Sequence, residues 1–387
     1  MIQRLCFRNL AQSFRVGSAF TKCRAYYSCT SQAASPLQQV SEPSGYSNDE
    51  CAAMDWDNLG FGLKPTDYMY SMKCYDDQIF KKGQLCRYGK IELSPSAGIL
   101  SYGQGIFEGL KAYRKKDGQI VLFRPDQNAI RMKVGAERMC MPYPSTEQFI
   151  EAVKQTTRAN KRWVPPPGKG SLYIRPILMG SGPVLGLAPA SEYTFLAFAS
   201  PVGNYFKEGL APLNLYVEDE FHRATPGGAG GVKSISNYAP ALKALGRATN
   251  RGFSDVLYLD SVNKKYVEEV STCNIFIVKD NVISTPATNG TILPGVTRKS
   301  IIEIARDYGY RVEERSIPLD ELLASEEVFC TGTAVVVAPV GSVTYQDRRI
   351  EFKTDARPVC SELYSALVGI QTGLIQDNKG WTVEIHD

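Results

Sequence analysis

The sequence predicts a two-domain protein of mixed α and β structure, of α+β or α/β class. Three observations carry this. The chain has 387 residues, enough for about two domains with a core each. Strand-like and helix-like apolar patterns mix in both halves. Between the halves lies a break, Pro201-Val202-Gly203-Asn204 through Gly209. The expected division is a leader and linker over 1–45, a smaller N-terminal α/β domain over 52–199, a connection over 200–212 and a larger C-terminal domain over 213–387.

The leader is read from its charges. Residues 1–41 carry Arg4, Arg8, Arg15, Lys22 and Arg24 and no Asp or Glu. At about 100° per residue the first four share one stripe of a helix, and Phe7, Leu10 and Phe14 lie on another face. A basic, acid-free amphipathic segment without an apolar h-region is an organelle transit peptide rather than a secretory signal. Arg24-Ala25-Tyr26-Tyr27-Ser28 is similar to a mitochondrial processing site. The expected destination is the mitochondrial matrix, with the chloroplast as the alternative.

Folded sequence is expected from near Cys51, after the linker Ser41–Ser47. Gln119–Phe123 has strand composition. Ser145 opens a helix with Gln148 three residues on, a capping box, and Phe149, Ile150 and Val153 as its apolar face. That helix must stop before Pro165-Pro166-Pro167-Gly168. Leu172–Leu178 and Tyr193–Ala199 read as two further strands. After the break come a strand at Asp255–Leu259 and one at Asn274–Val278, the latter turned through Asp280-Asn281 into Val282-Ile283 as a hairpin. A helix is predicted from Thr297 to Gly309, strands at Glu327–Cys330 and Val335–Val337, and a last helix over about Ser361–Ile370.

Composition excludes several classes. Hydrophobic residues are 43%, aromatic 10% and charged 22%, ordinary for a globular chain. No apolar run reaches the ~18 residues of a membrane span. Lys and Arg total 44 against 40 Asp and Glu; removing the five leader bases leaves 39 against 40, so the body makes no electrostatic case for nucleic acid. Ten scattered cysteines with no C-x-x-C, and two histidines, give no metal-ligand spacing and point to a reducing compartment.

Gly103-Gln104-Gly105-Ile106-Phe107-Glu108-Gly109 lacks the spacing and flanks of a dinucleotide loop. No P-loop, G-x-S-x-G elbow or H-E-x-x-H occurs, and two histidines leave little for a Ser-His-Asp triad. Two stretches stand out. Pro226–Gly231 holds four glycines before Val232-Lys233, either a close backbone approach to a ligand or a flexible surface loop. Leu293-Pro294-Gly295-Val296-Thr297 sets a glycine before a predicted helix, either an anion site on free N–H groups or ordinary capping by Thr297. The residues alone support an anionic ligand and an enzyme with a lysine, without choosing which lysine.

Seven stretches in order add to this: Phe107–Tyr113, Leu122–Pro125, Leu172–Pro176, Gly230–Tyr238, Val267–Phe276, Leu293–Arg298 and Gly332–Ala334. Together they resemble the branched-chain aminotransferases, of the class IV, fold-type IV pyridoxal 5′-phosphate (PLP) enzymes, and most nearly the plant ones. The resemblance runs from about residue 55 to the C-terminus. It implies the D-amino acid aminotransferase-like fold, with PLP at the domain interface and bound mainly by the C-terminal domain. It implies reversible amino transfer between leucine, isoleucine or valine and 2-oxoglutarate, and a homodimer that lends pocket residues across its interface. No metal, nucleic acid or membrane enters.

The family pattern gives each position a role. Lys233 matches the catalytic lysine joined to PLP, Glu269 the carboxylate on the pyridine nitrogen, and Tyr238 the tyrosine near the phenolic oxygen. Arg124 matches the phosphate-binding arginine, helped by the N–H groups of Val296 and Thr297 and by Thr333. The Thr333-Ala334 turn matches the one whose amides receive the substrate carboxylate. Tyr102, Phe107, Tyr173, Arg175 and Thr272 match pocket residues. PLP is the electron sink, a carboxylate at the ring nitrogen keeps that nitrogen protonated, and the lysine amine moves the proton.

Two departures are visible. Val335-Val336-Val337-Ala338 stands where animal relatives carry a C-x-x-C, so no redox switch is implied, and Cys273 stands where relatives often have another small or apolar residue. A D-amino-acid aminotransferase or an aminodeoxychorismate lyase would share the lysine and phosphate turns. Glu108–Tyr113 and Tyr173–Pro176 favour the branched-chain group over both. A non-catalytic relative is the alternative from another class, disfavoured by the joint presence of lysine, glutamate, tyrosine and arginine.

Overall fold

The computed structural model describes residues 51–75, 79–203, 212–352 and 358–386. The leader expected at 1–45 and residues 204–211 of the expected connection lie outside them. Two sheets organise the chain. The first takes β1 (Tyr68–Cys74), β2 (Gln84–Arg87), β3 (Gly105–Phe107), β4 (Leu110–Arg114), β5 (Ile120–Phe123), β6 (Ser171–Gly180) and β7 (Tyr193–Val202). Its helices are α1 (Gly98–Tyr102), α2 (Pro125–Arg138) and α3 (Thr146–Ala159).

Strands β6 and β7 pair antiparallel over their whole length, from Ser171 opposite Val202 to Gly180 opposite Tyr193. Pro201-Val202, expected in the break, therefore closes β7 instead; Pro201 stands opposite Leu172, and the break starts at Gly203. Helix α3 begins as its capping box requires: Ser145 Oγ accepts from the Gln148 N–H at 3.2 Å and Gln148 Oε1 accepts from the Ser145 N–H at 3.0 Å. Its buried Phe149, Ala152 and Val153 pack on Phe195 and Leu172 of the sheet. After Ala159 a single 3₁₀ turn, Lys161–Trp163, leads into the proline run.

The second sheet takes β8 (Leu213–Glu218), β9 (Asp255–Leu259), β10 (Tyr266–Val270), β11 (Asn274–Lys279), β12 (Val282–Thr285), β13 (Arg311–Glu314), β14 (Ile317–Pro318), β15 (Glu327–Gly332), β16 (Val336–Tyr345) and β17 (Arg348–Glu351). Its order is β13-β12-β11-β15-β16-β8-β9-β10-β14, with β17 on β16. Its helices are α4 (Leu242–Asn250), α5 (Val296–Asp307), α6 (Leu319–Leu323) and α7 (Pro358–Gln371). The β11–β12 hairpin turns through Asp280 and Asn281 with φ of 49° and 59°, the left-handed pair a two-residue turn needs. Strand β16 is far longer than its apolar start at Val335–Val337, because parallel pairing to β8 carries it past Pro339 and Gly341 to Tyr345.

The chain ends on β18 (Thr382–Ile385), which crosses back to the first sheet and pairs antiparallel with β5. The first sheet then reads β18-β5-β4-β6-β7-β1-β2, with β3 on β6. One apolar cluster joins the two sheets: Tyr113, Val121 and Phe123 of the first pack with Phe276 and Phe329 of the second and with Leu363 and Leu367 of α7. Between the sheets, Phe107 of β3 and Tyr173 and Arg175 of β6 come together with the ends of β10, β11 and β15 and the start of α5.

Candidate functional site

At that meeting lies a cavity of about 200 Å³. Lys233 reaches it from the loop after the glycine run. Its carbonyl accepts from the Phe107 N–H at 3.1 Å, which ties the loop to β3. Its Nζ lies 3.2 Å from Tyr238 Oη and 4.7 Å over the Phe107 ring. The glycine run itself does not touch the cavity. Gly231 donates to the Gly290 carbonyl at 2.7 Å, and a Cβ on Gly230 would strike Ala224 and the Thr291 carbonyl, so these glycines let two loops pack backbone to backbone.

The closed end of the cavity holds Glu269, 4% exposed at the end of β10. Oε1 accepts from the Leu293 N–H at 2.9 Å, Oε2 from Asn274 Nδ2 at 3.2 Å, and Arg223 donates Nη2 to Oε1. Burial pushes this carboxyl above the ordinary carboxylate range, and the Arg223 guanidinium and the Leu293 N–H pull it back down. Arg223 Nη2 also donates to the carbonyls of Thr291 at 2.9 Å and Gly230 at 3.2 Å.

The opposite end is the start of α5. Its N-cap is Gly295 and no side chain caps it, so Thr297 does not act as its own cap. The first intrahelical bond is donated by Lys299 N to the Gly295 carbonyl, leaving the N–H groups of Val296, Thr297 and Arg298 outside the helical ladder. Gly295 is required sterically: a Cβ there would run into Asn274 Oδ1. Beside these amides stands Arg131, on α2. It grips Glu108 with two bonds, Nε to Oε1 at 2.8 Å and Nη2 to Oε2 at 2.6 Å, and donates Nη1 to the Pro294 carbonyl at 3.2 Å. Burial alone would lower the Arg131 pKa, but the Glu108 carboxylate raises it, so the guanidinium stays charged.

Arg131 lines the cavity where Arg124 was expected. Arg124 does not line the cavity; its guanidinium bonds Ser300 Oγ at 2.9 Å and Glu303 Oε1 at 3.1 Å and lies 4.4 Å over the Trp381 ring. The reason is geometric. Arg124 is the left-handed N-cap of α2, φ 47°, facing the side of α5, whereas Arg131 lies two turns further along α2 and faces the start of α5. Tyr102 is the second correction. It is 40% exposed at the end of α1, donates to the Leu185 carbonyl and lies outside the cavity of its own chain.

The remaining expected residues, Phe107, Tyr173, Arg175, Thr272, Thr333 and Ala334, all line the cavity. Gly109 explains one of them: a Cβ at Gly109 would occupy the Tyr173 hydroxyl. The Arg175 guanidinium lies 4.8 Å over the Phe107 ring and 5.2 Å over the Tyr173 ring, and its Nε has no hydrogen-bond partner. Thr333, Ala334 and Val335 form the β15–β16 turn. Thr333 Oγ1 donates to the Gly109 carbonyl at 3.1 Å and Lys111 Nζ to the Ala334 carbonyl at 3.0 Å. The turn exits through Val336 at φ 63°, a β-branched residue in the left-handed region, at a cost of about 1–3 kcal/mol. Phe61, Arg131, Glu108, Asn274 and Arg223 were not foreseen. The one sequence signal for Arg131 is that Asn128 and Arg131 share a face of α2, and both bond Glu108.

The amino-transferase class IV family matches residues 105–343, the span that carries Lys233, Glu269, Val296 and Thr333. The chain is a class IV amino-transferase. Its relatives include branched-chain amino acid aminotransferase 1, mitochondrial, of Humulus lupulus, 66% identical over the whole of both chains. Branched-chain-amino-acid aminotransferase 2, chloroplastic, of Arabidopsis thaliana is 68% identical over 92% of each. Among solved structures, the T.th. branched-chain amino acid aminotransferase with pyridoxamine 5′-phosphate is 28% identical with a TM-score of 0.70, covering 84% of this chain and all of that one. For an amino-transferase of this class the cavity supplies three matched features. A lysine amine stands beside a tyrosine hydroxyl, a buried carboxylate can hold a protonated ring nitrogen, and unbonded helix amides with Arg131 can hold a phosphate.

Proposed function

We propose that this amino-transferase uses PLP to exchange the amine of L-leucine, L-isoleucine or L-valine with 2-oxoglutarate, giving the branched 2-oxo acid and L-glutamate. The single observation that carries it is one cavity holding the Lys233 amine, the Glu269 carboxylate and the open amides of α5. PLP, when bound, supplies the electron sink. Glu269, stiffened by Arg223 and Asn274, holds the pyridine nitrogen protonated. Val296, Thr297, Arg131 and Thr333 hold the phosphate. Tyr238 donates toward the phenolic oxygen. Lys233 Nζ carries the proton taken from the substrate Cα.

The substrate carboxylate meets the amides of the Thr333-Ala334 turn. Its aliphatic side chain lies among Phe61, Phe107 and Tyr173. The same wall has to accept the carboxylate-bearing side chain of glutamate, and Arg175 is the cation placed there. Tyr102 bonds the Leu185 carbonyl, and the exposed Leu185 and Leu187 side chains, at 92% and 87%, fit residues lent to a partner copy in a homodimer. The basic leader fits the mitochondrial matrix, and the name of the Humulus lupulus relative carries the word mitochondrial; a fusion of the first 44 residues to a fluorescent protein reads the destination.

The test is the visible spectrum of purified wild type and Lys233→Ala, before and after L-leucine. The reading expects a yellow band in wild type that leucine bleaches and that the variant does not form. No band in wild type with PLP supplied overturns it.

A further inference from the structure

We infer that the cavity behind the Thr333-Ala334 turn is a second small-molecule site, shaped for a short aliphatic carboxylate. The cavity measures about 380 Å³ and shares a single lining residue, Ala334, with the site described above. The turn is therefore a partition with a different chamber on each side.

Lys111 and Gln371 line the chamber from buried positions. Lys111 on β4 is 5% exposed. Of its three N–H bonds one is used, on the Ala334 carbonyl at 3.0 Å, and among the described residues no carboxylate pairs with it. A buried ammonium without a counter-charge is costly, and burial alone pushes its pKa down to about 7. Gln371 near the end of α7 is 4% exposed, and its Oε1 has no hydrogen-bond partner among the described residues. An amide can turn either end toward a ligand.

The rest of the wall selects the ligand class. Val335, Val337 and Val368 make one side apolar. Lys169 also lines the chamber but is paired with Asp57 in an exposed ion pair, so Lys111 alone is left to meet one negative charge, and a phosphate ester is matched poorly. A carboxylate on Lys111, with its tail against the valines, satisfies both halves. The remaining N–H bonds of Lys111 allow it to hold that carboxylate while keeping Ala334, so the ligand and the turn share one anchor. The inference rests on the chamber and is independent of the reaction catalysed next door.

The probe is 4-methylpentanoate, titrated calorimetrically into the purified full chain with PLP supplied. Wild type is compared with Val368→Phe, which fills the chamber, and Gln371→Leu. The expected result is that Val368→Phe binds one equivalent per chain fewer than wild type, while leucine turnover is unchanged. Equal stoichiometry in the two proteins overturns the inference. If Val368→Phe does not fold, Gln371→Leu decides: the chamber event should weaken several-fold, and an unchanged affinity for every equivalent overturns the proposal.

Discussion

Arg223 and Glu269 form a buried ion pair at the closed end of the cavity, with side chains 4% and 5% exposed. Such a pair is expensive to break from one side, because the survivor is left charged and dry. Arg223→Met is expected to cost about 3–5 kcal/mol of stability, read by denaturant titration. Arg223→Met with Glu269→Gln should cost less than the sum of the two single changes. A single-variant loss below about 1 kcal/mol would show that the pair contributes through position alone.

Two arginines on one helix are expected to behave differently. Arg131→Gln removes the guanidinium from the start of α5 and leaves Glu108 without its partner, so PLP affinity should fall at least about tenfold, the loss of one charge-assisted bond. Arg124→Gln should lower the melting temperature and leave PLP affinity within about twofold, since its bonds go to Ser300 and Glu303. The reverse pattern in a PLP titration would return the phosphate to Arg124.

Gly295→Ala isolates sterics. Gly295 has φ −65° and ψ 135°, which alanine adopts without strain, so only the collision with Asn274 Oδ1 acts. Asn274 holds both Glu269 and the Leu293 carbonyl, the latter at 2.9 Å. The variant is expected to fold and to bind PLP about tenfold more weakly or worse. Wild-type affinity in Gly295→Ala would mean that the Asn274 side chain yields freely.

Asp255 sets a pH dependence of stability. Burial lifts its carboxyl from 3.8 to about 6, against the Ser271 hydroxyl and the Val256 N–H. Between pH 4 and 6, roughly, the folded chain keeps a proton that the unfolded chain releases. The contribution of Asp255 to stability is therefore greatest below that window and falls as pH rises through it, by up to about 3 kcal/mol at 1.36 kcal/mol per unit. Asp255→Asn should flatten that slope and stabilise the chain at pH 7. An unchanged slope in denaturant titrations from pH 4 to 7 would locate the effect elsewhere, Glu268 and Glu269 being lifted by burial in the same direction.

Legibility followed locality. Ser145 with Gln148, and Asp280 with Asn281, are local chemistry, and both elements stand where the residues put them. Lys233, Tyr238 and Glu269, which the family resemblance groups, line one cavity. What failed was direction. Arg124 and Arg131 lie on the same short stretch, and only the fold of α2 against α5 decides which guanidinium faces the amides. Tyr102 lies outside the cavity of its own chain. Asn274 and Arg223 act through contacts 5 and 46 residues away along the chain, the second too distant for spacing to reveal. The role of the glycines at 230 and 231 depends on a loop near Gly290, so both local readings of that run missed it.

The return of β18 to β5 has a consequence for how the protein is made. The edge of the first sheet is completed by a strand that follows the whole second sheet along the chain, and Trp381 just before it covers Arg124 and Phe123. Val383 and Ile385 then pack on a core otherwise built from residues 70–199. The amino-terminal half therefore waits, incomplete, through synthesis of the whole carboxy-terminal half. Folding becomes a late, all-chain event of high contact order. A cut made after α7 and before β18 would therefore strike the first sheet rather than the second.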